Sequence, residues 1–243
     1  MSENIKEALE YSVNLAAKEQ KTIEVNGKYY FDSNQFRLVE LEPRRYPKCL
    51  DLNTLDSLID YLKSDHDLIN KRLLTILVKS PLEIEVYEVI DDLQHRPQLI
   101  YVEALTPYIE FGKYFNSQDF NIYLQSLFID DEDRELVLNF ASALKIDNGS
   151  EIVDNGVSQT ATVKTGVASL SKAKAPNPVI LRPYRTFGEV EQPASPFIFR
   201  INSLGQMALF EADGGKWRLE AINNIADYLK KQLADNNKIT ILA

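Results

Sequence analysis

Apolar residues recur at two different periods along the first two thirds of the chain. Residues 2–19 and 52–62 carry apolar side chains three or four positions apart, which predicts two amphipathic helices. Residues 73–105 contain three runs rich in β-branched or aromatic residues, which predicts an antiparallel meander. Apolar and polar residues alternate over 82–87, which indicates a sheet with one face toward water. Two further helices are predicted from the same periodicity, with Ser117 and Asp131 as their N-caps.

Two local signals sharpen this pattern near the N-terminus. The dipeptide Asn26-Gly27 separates two β-prone runs, and it suits a type I′ turn because both of its positions need a positive φ. A β-hairpin is therefore predicted over residues 21–31. Asn53 or Thr54 is available as N-cap for the helix that follows.

The texture of the chain changes from about residue 146. Residues 157–174 are rich in Ser, Thr, Ala and Val, which predicts a long exposed hairpin or a mobile arm. Strands are predicted over 179–184, 197–202 and 206–211, and a closing helix over 216–234. The predicted fold class is α+β, with antiparallel sheets and flanking helices.

This change of texture also suggests a division of the chain. Residues 1–147 are predicted to form an N-terminal α+β region, and residues 148–243 a β-rich region that ends in a helix. We expect the two regions to form one integrated domain, since no other linker is evident.

Composition narrows the possible partners. The 243 residues include 36 acidic and 27 basic side chains, for a net charge of −9. Nonspecific binding to nucleic acid is therefore not expected unless the chain has a local basic face. The chain has one cysteine, no apolar run near the ~18 residues that span a bilayer, and a polar N-terminus. We expect a cytosolic protein with no membrane partner.

The inventory of reactive residues predicts no catalytic centre. One cysteine and two histidines cannot supply the four ligands of a structural zinc site, and no Gly-x-Ser-x-Gly elbow or phosphate-binding glycine loop occurs. Cys49 follows Lys48, which could lower its pKa. Four acids remain as candidates for a carboxylate Mg²⁺ site. They are Glu189, Glu191, Glu211 and Asp213. We predict that the protein is not an enzyme and holds no cofactor or metal.

The most unusual composition lies between residues 176 and 200. Arginines alternate there with aromatic residues and prolines, a makeup typical of interfaces and of surfaces that stack on single-stranded bases. The competing interpretation is that the prolines rigidify edge segments and the arginines pair with nearby glutamates. Asp213-Gly214-Gly215 could bind an anion at the start of the last helix, or form a tight strand-to-helix turn. The candidate binding surface comprises Arg182, Tyr184, Arg185, Phe187, Glu189, Glu191, Arg200, Glu211, Asp213, Lys216 and Trp217.

Several stretches of this half of the chain resemble the YfdQ-like proteins of tailed phages and prophages, a family of unknown function. The stretches are residues 125–134 (QSLFIDDEDR), 156–167 (GVSQTATVKTGV), 179–187 (VILRPYRTF), 189–197 (EVEQPASPF) and 209–217 (LFEADGGKW). The resemblance implies a phage origin and a place in the host cytoplasm rather than in the virion. It carries over no catalytic residue.

Three functional hypotheses follow. The first is a non-enzymatic accessory protein of phage DNA replication or recombination that contacts single-stranded nucleic acid or a phage or host protein. The second is an inhibitor or decoy against a host defence system, a role to which the net negative charge of the chain is suited. The third is a divalent-metal-dependent enzyme acting on nucleic acid. Self-association is also expected, from the arm at 157–174 and the neighbouring arginine and aromatic strand.

Overall fold

A computed structural model describes most of the chain and confirms the α+β class. The described residues are 2–19, 22–32, 38–40, 45–144, 152–156, 158–165 and 169–243. They fall into two compact units, Met1–Pro47 and Lys48–Ala243. No helix among the described residues is long and apolar enough to span a bilayer.

The described residues of the first unit form one helix and one small antiparallel sheet. Helix α1 (Ser2–Glu19) precedes strands β1 (Thr22–Val25), β2 (Lys28–Asp32) and β3 (Leu38–Glu40), which pair in that order. Asn26 and Gly27 connect β1 to β2 with φ of 52° and 76°, so the predicted hairpin turn is confirmed.

The second unit is built on a mixed five-stranded sheet in the order β14-β5-β6-β7-β4. Its strands are β4 (Leu50–Leu52), β5 (Leu74–Val78), β6 (Glu83–Glu88), β7 (Gln98–Glu103) and β14 (Ile239–Leu242). The predicted meander is confirmed as the antiparallel centre of this sheet. The two edge strands, which pair in parallel with their neighbours, were not predicted.

A first hydrophobic core lies on one face of this sheet. Helix α2 (Leu55–Lys63) leads into a 3-10 helix (His66–Lys71), and helix α5 (Trp217–Gln232) ends just before β14. Leu58 and Leu62 of α2 and Ile225 and Leu229 of α5 are fully buried in this core with Ile84 of β6. Thr54 caps α2 by accepting a hydrogen bond from the N–H of Ser57, as predicted.

A second core joins two helices to a three-stranded antiparallel sheet. Helices α3 (Ser117–Leu127) and α4 (Glu132–Ala143) pack on strands β11 (Val179–Leu181), β12 (Ser195–Ile201) and β13 (Met207–Glu211), which are ordered β11-β12-β13. Four phenylalanines, Phe120, Phe128, Phe197 and Phe199, are buried at its centre.

The caps of these helices match the predictions at α4 but not at α3. Asp131 accepts from the N–H of Arg134, as predicted for α4. The prediction of Ser117 as cap of α3 is wrong, because Asn116 accepts from the N–H of Asp119 and begins the helix one residue earlier. Ser117 instead donates from its hydroxyl to the carbonyl of Ala141 and so ties α3 to α4.

The predicted hairpin at 157–174 is present as β9 (Gln159–Thr165) and β10 (Ser169–Lys174), with β8 (Val153–Asp154) on the outer side of β9. Its base is anchored: Ala161 is buried in the second core, and Gln159 exchanges two hydrogen bonds with the backbone of Ile201.

The predicted division near residue 148 falls on residues 145–151, outside the described part of the chain. The two predicted regions contribute strands to one sheet, because β14 of the C-terminal region pairs with β5 of the N-terminal region. Strand β11 ends at Leu181 rather than at Tyr184, because Pro183 has no N–H for a continued ladder.

Candidate functional site

The loop between β11 and β12, residues 182–194, connects the two cores of the second unit; we call it the clasp loop. The chain leaves the second sheet after β11, and the side chain of Phe187 packs in the first core, where it is 1% exposed. Thr186 fixes the same connection by donating from its hydroxyl to the carbonyl oxygen of Pro81 at 2.6 Å. Phe187 is therefore a core residue and not part of a binding surface, contrary to the sequence-based hypothesis.

A buried glutamine holds the clasp loop in shape. The side-chain oxygen of Gln192 accepts from the backbone N–H groups of Arg185 and Thr186 at 2.9 and 3.2 Å. Its side-chain nitrogen donates to the carbonyl of Phe187 at 3.0 Å. Sequence reasoning missed this residue, because an isolated glutamine in a polar segment carries no signal of burial.

The two glutamates of the clasp loop have different roles. One carboxylate oxygen of Glu189 accepts from the N–H of Leu55 at 2.7 Å and lies 3.4 Å from the N–H of Asp56, at the positive end of α2. Glu191 is exposed and forms a surface ion pair of 2.5 Å with Arg182. Glu189 thus caps a helix that is distant in sequence, and Glu191 stays at the surface.

Arg185 lies at the centre of a largely buried polar network. Its side chain is 7% exposed, and Nη1 pairs with Glu211 at 2.8 Å. Nη2 donates to the hydroxyl of Ser195, and the guanidinium lies 4.0 Å from the ring centroid of Trp217. Burial lowers the pKa of Arg185 to about 10, against the opposing effect of Glu211 and Asp213. The predicted surface arginine is therefore internal.

Asp213 closes the turn into α5. It accepts from the N–H groups of Gly215 and Trp217 and from the hydroxyl of Ser195, at 2.9, 3.0 and 3.0 Å. Burial alone raises the pKa of Asp213, but these hydrogen bonds and the charge of Arg185 outweigh burial and hold the pKa below its ordinary value. Gly214 is one of two glycines with positive φ in this turn. The N–H groups at the start of α5 are thus bonded to a carboxylate of the chain itself. This favours a tight strand-to-helix turn over an anion-binding site.

The remaining candidate residues are spread over the surface. Tyr184 and Lys216 are exposed, and Arg182 is half-exposed in its ion pair. Arg200 is half-buried and donates from Nη2 to the carbonyl of Gly156 at 3.1 Å. The structure therefore brings Glu211, Asp213 and Trp217, which are partly exposed, together around the buried Arg185 and leaves the other candidates apart.

The network offers little access for chemistry. Ser195 is fully buried between Arg185 and Asp213, so a substrate carbonyl cannot reach its hydroxyl. Among the described residues no group of three or more His, Cys, Asp or Glu side chains is arranged to hold a metal ion. The thiol of Cys49 has a raised pKa, first because of desolvation and then because of Asp51 and Glu85. The expected lowering by Lys48 is wrong.

A second feature was missed in the sequence, namely the distribution of charge. Residues 155–188 contain no acid and five basic residues, Lys164, Lys172, Lys174, Arg182 and Arg185. The remaining residues carry 22 basic and 36 acidic side chains, a net charge of −14. The hairpin β9–β10 lies within this acid-free segment, and Lys172 and Lys174 are exposed on it. A count of charge by segment could have found it.

Comparison with known proteins does not show to which family this chain belongs. No family model, curated protein or solved structure matches the chain. The resemblance to YfdQ-like phage proteins therefore remains an expectation that rests on the stretches of sequence quoted above.

Proposed function

We propose that this chain is a non-enzymatic accessory protein of phage DNA metabolism, which acts in the host cytoplasm by binding nucleic acid. The supporting observation is the separation of charge. In the acid-free segment Lys172 and Lys174 are exposed, whereas the residues outside that segment carry a net charge of −14. Binding to phosphates needs such a local basic region when the rest of the chain is acidic.

The internal arrangement of the clasp loop supports binding over catalysis. The glutamates that could have held a metal have other partners: Glu189 caps α2 and Glu211 pairs with Arg185. A Mg²⁺ requirement would have to compete with both interactions. If nuclease activity with added Mg²⁺ were lost in Glu189→Ala or Glu211→Ala while the fold stayed intact, the catalytic alternative would replace this proposal.

The experiment is a binding titration of fluorescently labelled DNA across a salt series. We expect binding at low salt whose logarithm of affinity falls linearly with the logarithm of salt concentration, because bound phosphates release counterions. No binding at low salt, or binding with no salt dependence, contradicts the proposal.

An inhibitor or decoy of a host defence system is the second candidate function. It is favoured by the net charge of −14 outside the acid-free segment, since an acidic surface suits a basic partner that normally binds nucleic acid. A pull-down from infected cells distinguishes the two candidates, because it recovers either nucleic acid or a basic host protein.

Self-association belongs to the same proposal. A basic hairpin and an acidic remainder can attract each other between copies of the chain. Light scattering at micromolar concentration in low and high salt tests this: we expect an oligomer that weakens with salt, and a strict monomer in low salt would contradict it.

A further inference from the structure

The register of the hairpin fixes which of its residues face away from the core. Lys172 pairs with Thr162, and Lys174 pairs with Thr160. Residues directly opposite in an antiparallel pair share one face, and so do residues two apart along a strand. These four residues therefore lie on a common face, which we call the basic face.

Burial shows that the basic face is the outer one. Ala161, which lies between Thr160 and Thr162 on the opposite face, is 1% exposed and packs in the second core. Lys172 and Lys174 are exposed, and the two threonines are half-buried. Among the described residues neither lysine forms an ion pair with a carboxylate. Their charges are available to a partner.

The hairpin is held firmly where this face begins. Gln159 bonds to the backbone of Ile201, and its own carbonyl accepts from the N–H of Ala175 at 2.7 Å. Strand β8 pairs with β9 only at Gln159 and Thr160, so the sheet has two strands from Ala161 onward. Lys174 therefore lies in the three-stranded base of the hairpin, and Lys172 lies where the two-stranded part begins.

The chemistry of the basic face suits phosphates better than bases. It presents two ammonium groups and two hydroxyl groups, which are donors to phosphate oxygens. None of its four residues is aromatic, so it offers no platform for stacking unpaired bases. Duplex DNA presents phosphates at high density, about one negative charge per 1.7 Å of helix axis.

We infer that the basic face of the β9–β10 hairpin, with Lys172 and Lys174 as its principal contacts, binds the phosphate backbone of duplex DNA. This inference rests on the proposed function and changes its surface, from the arginine and aromatic residues of 182–217 to the hairpin. It also changes the expected ligand from single strands to a duplex. Binding through such a face is independent of base sequence.

The test is a salt series with a labelled duplex and the double variant Lys172→Ala/Lys174→Ala. Each phosphate contact contributes about −0.9 to the slope of log affinity against log salt, so the variant should lose about 2 from the magnitude of that slope. We expect its affinity at low salt to fall by about tenfold or more.

Two control variants separate this effect from loss of fold or of overall charge. Lys230→Ala/Lys231→Ala removes the same charge from two exposed lysines of α5 and should keep the wild-type slope. Lys172→Arg/Lys174→Arg keeps the charge and should bind at least as tightly as the wild type, because a guanidinium also donates to phosphate oxygens. Circular dichroism of each variant confirms that its fold is intact.

Three results would overturn the inference, and each has a different meaning. If the wild type binds no DNA at low salt, the proposed function fails. If the wild type binds but Lys172→Ala/Lys174→Ala keeps its slope and affinity, only the assignment of the basic face fails. If single strands bind about tenfold tighter than the duplex and Tyr184→Ala abolishes that binding, the contact lies on the 182–217 segment instead.

Discussion

The 182–217 segment and the β9–β10 hairpin both differ from what their compositions suggest about burial. The first is rich in arginine and aromatic residues, yet Arg185 and Phe187 are buried and join the two cores of the second unit. The second is made of small residues, yet it carries exposed lysines. Composition identifies residues that can interact strongly, but only the fold determines whether their partners are inside or outside the chain.

The physical reason lies in how each segment satisfies its polar groups. A buried guanidinium must be paired, because the interior does not solvate its charge, and Arg185 has Glu211, Ser195 and Trp217 as neighbours. Lysines on an outward strand face are solvated by water and need no internal partner. The first kind of cation stabilises the fold, and the second is free to bind a ligand.

The largest expected effect is on the residue that links the cores. Phe187→Ala should lower the free energy of unfolding by about 3–5 kcal/mol, because it leaves a cavity in a packed core. Tyr184→Ala, three residues away and 41% exposed, should change it by less than about 0.5 kcal/mol. Urea unfolding followed by circular dichroism measures both. Similar losses in the two variants would show that the clasp loop is not anchored by Phe187.

Replacing Arg185 should lower the free energy of unfolding more than replacing Arg182, the other arginine of the clasp loop. Arg185→Met removes the partner of Glu211, and we expect a loss of about 2–3 kcal/mol. This is less than a fully buried pair would cost, because the Glu211 side chain remains 32% exposed. Arg182→Met breaks an exposed pair and should cost about 0–1 kcal/mol.

A double-mutant cycle sharpens the result for Arg185. If its network works as described, Arg185→Met combined with Glu211→Gln should cost less than the sum of the two single changes. Strict additivity would mean that Arg185 is held by its contacts with Ser195 and Trp217 and not by Glu211.

Glu189 tests whether the clasp loop also stabilises α2. Glu189→Ala removes the acceptor from the N–H of Leu55, and we expect a loss of about 1 kcal/mol, the usual contribution of a helix cap. Glu191→Ala is the matched change at an exposed carboxylate and should have a smaller effect. Hydrogen exchange at the Leu55 amide should accelerate only in the Glu189 variant; acceleration in both would refute the cap.

Features governed by local signals were predicted correctly from the sequence. The Asn26-Gly27 turn, the Thr54 and Asp131 caps and the central meander each depend on residues that are neighbours in the chain. The edge strands β4 and β14 were missed because they are short and pair only with strands that are distant in sequence. Their existence depends on the assembled sheet more than on their own composition.

The site was predicted less well for a similar reason. Arg182 and Arg185 stand three positions apart beside prolines and aromatic residues, and nothing local distinguishes the exposed one from the buried one. The difference arises because Phe187 draws the loop into the first core and places Arg185 beside Glu211. The lysines of the hairpin were overlooked because each is unremarkable alone; only the absence of acids around them is unusual.

Asp213 gives the smallest of these effects and the most specific one, a dependence of stability on pH. Its folded pKa lies below the ordinary value of 3.8, so its contribution is fully present above that value and is lost as the pH falls through the folded pKa. Asp213→Asn should cost about 0.5–1 kcal/mol near neutral pH, because the amide oxygen still accepts from the turn. The cost should shrink as the pH is lowered below about 4.

Unfolding of the Asp213 variant at a series of pH values checks this. Asp227→Asn, a change at a carboxylate of α5 with 78% exposure, is the matched control and should show little dependence on pH. A cost of Asp213→Asn that stays constant down to acidic pH would mean that the carboxylate charge is not used in the turn. Asp213 would then act through the shape of the turn, and the difference in charge between this region and the hairpin would rest on the pair of Arg185 and Glu211.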